Sequence, residues 1–448
     1  MIKVANNLPA LSQLSPPPRD PLKRGSRPFL KSVIPVRKCG LLSEPGGMTQ
    51  RSCVYFGARY VLGPVKEAIH LVHGGVGCSY YGKMVRGRPA QVFSTDFSEY
   101  DVIFGGISKL KTALTQAFSL NPKAKGAFVY VTCVSSIIGE DVESIAHEVS
   151  KKLGKEVKIV ACPGFSAISQ SKGHAIAYQV LSKIIKPYKP YDFPAVNLIG
   201  DYNVGGETKV IKNLLSKIGI KVHTVLTGDT KWSEVESLTK ARLNLLLCSS
   251  TAKDFCETVK NEWGIPYIKV SFYGITAIKE SLLKIAEFFN IPQRKVSAIL
   301  KEEERAVYEE VKGLLPGLKG KKAMIILGAA RIFTLSAMLK DLGLEVELGA
   351  SIFAKEVDHE EAKPIVKHLT DNPGDDELER VFSLIKPDVV FINTRHQWQP
   401  VKLGIPVISF PQPSERGPYA GYTGMINFAK QLYSVINAPV WRLLSESF

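Results

Sequence analysis

At 448 residues, with 45% hydrophobic and 22% charged residues, the chain is a globular protein too long for one core, and two to four domains are expected. No apolar stretch approaches the roughly 20 residues needed to cross a bilayer, so no membrane partner is expected. The formal net charge is +16, but the lysines are spread over helical segments; only Lys319-Gly-Lys-Lys322 is a tight run and no aromatic ladder accompanies it, which argues for a solvated basic surface and against a nucleic-acid partner.

The opening Met1-Ile-Lys-Val-Ala-Asn-Asn7 has no apolar signal-peptide core, and the seven cysteines form no secreted-type framework, so a cytoplasmic chain with reduced thiols is expected. Residues 1–50, with Pro16-Pro-Pro18, several Arg and Lys and Gly46-Gly47, read as an extended basic arm. Beyond it, strand-like and helical patterns alternate. Buried strands are predicted at Ala127–Thr132, Val157–Ala161, Ala195–Ile199, Lys221–Leu226, Leu243–Leu247, Ala323–Leu327, Glu345–Leu348, Val389–Asn393 and Pro406–Ser409. Amphipathic helices are predicted at Asp141–Leu153, Gly206–Ile218, Thr276–Phe289 and Leu335–Leu342, with a long helical connection over Pro292–Leu314. β-Branched runs alternating with helices specify parallel sheets covered on both faces, an α/β fold. Breaks near Pro190 and Leu318-Lys-Gly320 divide it into three Rossmann-like, doubly wound units over 51–190, 191–318 and 319–448. Glycine-led turns, Ile199-Gly-Asp-Tyr-Asn-Val-Gly-Gly206 and Leu327-Gly-Ala-Ala-Arg331, join strands to helices. Neither carries the dinucleotide fingerprint and there is no Walker A sequence, so no ATP site is expected on this chain.

Three cysteines stand alone in separate apolar-rich stretches: Cys53 in Arg51-Ser-Cys-Val-Tyr-Phe-Gly57, Cys78 in His73-Gly-Gly-Val-Gly-Cys78, and Cys133 in Val129-Tyr-Val-Thr-Cys133. Single thiols at loop mouths, far apart in sequence, suit a metal cluster gathered by the fold and not a zinc knuckle, whose ligands come in close pairs. The glycines before Cys78 let backbone approach a bulky group and leave N–H groups to bond sulfide. Three thiolates are one short of the usual four of an iron–sulfur cluster, so the remaining ligands would come from a partner chain. Cys248, ending Leu243-Asn-Leu-Leu-Leu-Cys248, extends the same reading. Cysteines also serve as small buried apolar residues, which is the reading for Cys39 and Cys256. Cys162, before Pro163-Gly164, is either buried or near a site.

Gln170 and His174 are four residues apart and would share a face of a helix, where the imidazole could donate a proton to a bound substrate. Arg86 and Arg331 lie near the glycine loops, and arginine holds anionic clusters and carboxylates well.

Several stretches in order resemble the nitrogenase component 1 family, α-type branch. They are His70-Leu-Val-His-Gly-Gly-Val-Gly-Cys78, Ser94-Thr-Asp-Phe97, Asp101-Val-Ile-Phe-Gly-Gly106, Ile138-Gly-Glu-Asp141, Gly200-Asp-Tyr-Asn-Val-Gly-Gly206, Leu243–Cys248, Gly264-Ile-Pro-Tyr267 and Gly417-Pro-Tyr-Ala-Gly-Tyr422. The resemblance runs from about Arg51 to Leu444. It implies a fold of three Rossmann-like domains, an α2β2 assembly with a β-type chain, and electrons supplied by an ATP-hydrolysing iron protein. It implies that Cys53, Cys78 and Cys133 match the α-side ligands of an interface iron–sulfur cluster, a P-cluster or a simpler [4Fe–4S] cluster. Cys248 matches the thiolate that holds the larger active-site or precursor cluster. Arg86, Gln170, His174 and Arg331 match residues lining that cluster, and Val61 falls at the position that gates substrate approach.

The chain also departs from the family pattern. The histidine that caps the heterometal of catalytic nitrogenase falls on Pro411, and no histidine follows His396. The lysine that anchors homocitrate falls on Arg395. Both changes argue against a heterometal and homocitrate held as in nitrogenase, and against dinitrogen reduction. The resemblance then leaves a reductase of another small substrate, such as a thioether whose C–S bond is cleaved, or an α-like scaffold for cofactor assembly. A tetrapyrrole-reducing relative would lack the large cluster, and a merely buried Cys248 would leave an electron-transfer or structural subunit.

Overall fold

The computed structural model describes residues 53–83, 91–167, 169–351, 354–393, 397–410 and 417–446. The arm, Cys39, Arg86, Arg395 and Pro411 lie outside the described residues.

Three open sheets, all parallel, organise the chain. The first has the spatial order Phe93–Ser94, Ala68–His73, Gly126–Val131, Glu156–Ala161. The second runs Tyr267–Lys269, Leu243–Leu246, Ala195–Asp201, Lys221–Thr227. The third runs His368–Asp371, Glu345–Ser351, Lys322–Leu327, Val389–Asn393, Val407–Phe410. Strands Gly126–Val131 and Ala195–Asp201 are buried at every position, as a central strand covered on both faces must be. The α/β class and the parallel sheets are therefore as expected.

The helices between the strands follow the sequence pattern. Val142–Leu153 buries Val142, Ala146 and Val149 on one face, and Asp141 caps it by accepting the Ser144 N–H at 3.1 Å. The long connection is the helix Gln293–Val311, which turns Val296, Leu300, Val307 and Val311 inward. Strands Ala68–His73, Phe93–Ser94, Tyr267–Lys269 and His368–Asp371 were not among those predicted. Ala68–His73 is masked in the sequence by two histidines. Both are buried, His70 bonding the Tyr130 hydroxyl at 2.9 Å and His73 the Glu140 carboxylate at 2.7 Å.

The sheets share cores. One cluster joins Val196 and Leu198 of the second sheet to Ala323 and Ile325 of the third. Another joins Val72 and Phe128 of the first sheet to Ile199, Leu226 and Leu246 of the second. Within the latter lie three helices, Val54–Leu62, Ser171–Ser182 and Ser249–Trp263. The first two cross backbone to backbone. A Cβ at Gly57 would lie 2.0 Å from the Gln170 carbonyl oxygen, and one at Gly173 would lie 1.9 Å from that of Val54. Among the described residues, no helix is long and apolar enough to cross a membrane.

Gly173→Ala should therefore destabilise the chain by about 3 kcal/mol. Gly313→Ala, where a Cβ meets nothing within 4 Å, should change stability by no more than about 0.5 kcal/mol. Urea unfolding of both variants is the check, and equal midpoints would refute the close crossing.

Burial holds the imidazole of His70 well below its usual value, and Arg59 adds to this. Burial likewise lowers His73, with Glu140 opposing. Both rings are thus kept neutral in the fold and take up protons more readily when unfolded. Their contribution to stability is complete above the unfolded value of about 6.5 and is lost as pH falls below it. The urea midpoint should drop between about pH 7.5 and about pH 5.5; a flat profile would contradict the neutral assignment.

Candidate functional site

Four thiols approach one another at the carboxyl end of the first sheet, where open parallel sheets place their ligands. Cys53 is the residue before the helix Val54–Leu62. Cys78 lies in the helix Val76–Lys83, which follows strand Ala68–His73. Cys133 opens the helix Cys133–Ile138, which follows strand Gly126–Val131. Cys162, just past strand Glu156–Ala161, is fully buried beside them.

Gly164 shows how closely they stand. Its N–H donates to the Cys133 sulfur at 3.1 Å, and a Cβ there would lie 3.2 Å from that sulfur and 3.3 Å from the Cβ of Cys53. Burial pushes the Cys78 thiol up; a hydrogen bond with Thr132 opposes this, and the neighbouring Cys133 and Cys53 sulfurs reinforce it. Such mutual repulsion between thiolates is relieved by cations shared among them. On the Cys78 side, a Cβ at Gly75 or Gly77 would meet nothing within 4 Å, so this flank is open. Among the described residues, no three His, Cys, Asp or Glu side chains converge on a single metal ion. Soft sulfur donors brought close together, one of them accepting a backbone N–H, suit iron–sulfur chemistry. The residues present fit such a group.

The far end of helix Val54–Leu62 leads to the second thiol. Tyr60, seven residues after Cys53, packs its ring against Tyr202 at 5.0 Å and His174 at 5.9 Å. The Tyr202 hydroxyl donates to Thr251 Oγ1 at 2.7 Å. Thr251 lies in the first turn of helix Ser249–Trp263, whose preceding residue is Cys248. Cys248 is 5% exposed, and its sulfur is 3.3 Å from the Ser250 hydroxyl. A helix N-terminus favours negative charge at that position. Gly200, with φ of +84°, lets the end of strand Ala195–Asp201 pass the Cys248 backbone; a Cβ there would lie 2.9 Å from the Cβ of Cys248.

Gln170 stands just before helix Ser171–Ser182 and not within it, yet its carbonyl accepts the His174 N–H at 3.1 Å, so the pair shares one helical turn. His174 is buried beside the Tyr60 and Tyr202 rings. Val61 is buried beside Tyr60. Arg331, in helix Ala329–Asp341, meets Glu207 at 3.5 Å and lies 5.5 Å from the centre of the Tyr273 ring. Its charge is therefore already engaged. Tyr60, Tyr202, Thr251 and Gly164 are the residues sequence reasoning missed. The seven-residue step from Cys53 to Tyr60, two helical turns, is the one signal that points to any of them.

Residues 53–437 match the family described as nitrogenase component 1 type oxidoreductase. The chain is 33% identical to the nitrogenase molybdenum-iron protein alpha chain of Methanothermobacter marburgensis, over 91% of this chain and 92% of the relative. It is 35% identical to the nitrogenase iron-molybdenum cofactor biosynthesis protein NifE of Clostridium pasteurianum, over 90% of this chain and 91% of the relative. The solved structure of nitrogenase Cp1 at pH 5 superposes with a TM-score of 0.83 and 30% identity, covering 91% of this chain and 93% of that one. In sequence and in fold alike, this chain belongs to the nitrogenase component 1 type oxidoreductases.

Proposed function

We propose that this chain is the α-type subunit of a nitrogenase-like reductase that takes electrons from an ATP-hydrolysing iron protein and reduces a small substrate other than dinitrogen, C–S cleavage of a methylthio-alkane being a specific case. The observation that supports it best is a single helix, Val54–Leu62, with one group of thiols at its start and a buried aromatic contact leading toward Cys248 at its end. An iron–sulfur cluster stores and passes electrons when thiolates hold it. Cys53, Cys78 and Cys133 would hold the interface cluster, and Cys248 the larger one. The helix advances about 10 Å from Cys53 to Tyr60, which keeps the two sites close.

The other residues bind and orient. His174 would hold a proton for the substrate, its position fixed by the Gln170 carbonyl and by the two tyrosine rings. Val61 would limit access from the helix side. Arg331, Arg86 and Arg395 would supply cations toward an anionic group. Val76, Tyr80, Ile137 and Phe165 are exposed on the elements that carry the thiols. An apolar rim of this kind fits a β-type subunit in an α2β2 assembly that completes the cluster's ligands.

A second reading, an α-like scaffold for assembly of the iron-molybdenum cofactor, draws on two observations. One is the 35% identity to a cofactor biosynthesis protein. The other is Pro411, which has no side-chain metal donor at the position of the capping histidine.

Iron analysis and electron paramagnetic resonance of the anaerobically purified complex test the assignment of the thiols. Cys248→Ala should remove one iron signal and Cys133→Ala another; if neither variant loses a signal, the sites are wrongly assigned. His174→Gln separates the two readings. In a reductase, turnover of thioethers with the iron protein and ATP should fall about 100-fold or more, as on loss of a general acid. In a scaffold, cluster transfer should be unchanged and turnover absent in the parent protein as well.

A further inference from the structure

Arg59 is fully buried on the helix that begins after Cys53. Its Nη1 donates to the Tyr130 hydroxyl at 3.2 Å, and its Nη2 to the Gly82 carbonyl at 3.5 Å. The guanidinium also lies 5.2 Å from the centre of the Tyr130 ring. Its Nε is buried with no acceptor, and among the described residues Arg59 forms no ion pair. Every group it touches is neutral at pH 7: a peptide carbonyl, and a phenol whose ionisation burial pushes up to about 12. A guanidinium cannot shed its proton, and a buried cation without an anion is strongly disfavoured. The fold nevertheless spends a fully enclosed position on one.

The location of Arg59 suggests its counter-ion. It joins the three elements that carry the thiols. Its own helix starts at Cys53, Gly82 closes the helix that holds Cys78, and Tyr130 sits three residues before Cys133 on the strand that delivers it. We infer that Arg59 is the buried counter-cation of the anionic group gathered by Cys53, Cys78 and Cys133, fixing that group's charge and its reduction potential. This rests on the reading that these three thiols hold an iron–sulfur cluster. Reduction adds negative charge to a cluster, so a fixed cation in a low-dielectric surrounding favours the reduced form and raises the potential. Arg59 is thus a positioning residue: it acts through the field it places on the thiolates.

Arg59→Gln keeps a donor for Tyr130 or Gly82 and removes the charge, whereas Arg59→Lys keeps the charge. In the anaerobic complex, a redox titration followed by electron paramagnetic resonance should show the cluster lost in Cys133→Ala shifted to lower potential in Arg59→Gln. It should stay near the parent value in Arg59→Lys, and the signal lost in Cys248→Ala should not move in either. The iron-free full chain gives a second readout: Arg59→Met should be at least as stable to urea as the parent without iron, and less stable than the parent with iron. A potential unchanged in Arg59→Gln, or an equal loss of stability with and without iron, overturns the counter-ion role while leaving the thiol assignment intact. A parent complex with no iron on the three thiols overturns both.

Discussion

The candidate site depends on one steric constraint, the contact of two helix backbones where Val54–Leu62 crosses Ser171–Ser182. Side chains at the crossing would hold the axes 8–10 Å apart, the usual helix–helix distance. Gly57 and Gly173 remove them, and carbonyl oxygens occupy the space a Cβ would need. The consequence is positional. One helix brings Cys53 to its start and Tyr60 to its end. The other, drawn tightly against it, brings His174 to the Tyr60 ring. A looser crossing would shift Cys53 and Tyr60 together relative to the imidazole of His174. Backbone contact therefore sets a tolerance on the chemistry that side-chain packing, which adjusts through rotamers, could not hold.

Electrostatics adds a second constraint. Cys53 and Cys133 stand close enough to Cys78 to reinforce the upward shift that burial gives its thiol, and a buried guanidinium without an acid stands among the elements that carry them. Each feature alone is unfavourable in a folded protein. Under the proposed assignment of the thiols the two would offset each other, since an anionic iron–sulfur group would supply the charge Arg59 lacks. The rest of the first sheet is conventionally satisfied: His73 is paired with Glu140, and Ser135 and Thr132 both donate to the His73 carbonyl. Arg59 thus stands out there as a buried cation whose Nε has no acceptor.

The sequence showed the fold class and most of the central strands, because strands buried on both faces read as unbroken apolar runs, as at Gly126–Val131 and Leu243–Leu246. It concealed Ala68–His73, because the histidines that break the run are buried by partners distant in sequence, Tyr130 and Glu140. The short edge strands Phe93–Ser94 and Tyr267–Lys269 are two and three residues long, too short for any period to show. In the site, the isolated thiols were legible from their place after apolar runs and beside glycine. Their mutual approach, the Tyr60–Tyr202–Thr251 link and the orphaned Arg59 were not, since each joins residues far apart in sequence that only the packed fold brings together. Arg331 was legible as a cation near a glycine turn, whereas its engagement by Glu207 and Tyr273 was not.

That engagement bears on how the second site would accept an anionic group. Glu207 holds Arg331 at 3.5 Å, while one Glu207 oxygen also accepts the Gly205 N–H at 2.8 Å. The carboxylate is thus anchored by its own turn, and Arg331 reaches it at the long end of ion-pair distance. A contact of that length holds a guanidinium weakly, and a bidentate anion at closer range would compete for it well. Glu207 would remain bonded to its turn when Arg331 swung away, so the exchange would leave no buried carboxylate without a donor. The same arrangement suits either reading of the function. The two proposals part at the imidazole of His174, because only turnover would call on it to deliver a proton.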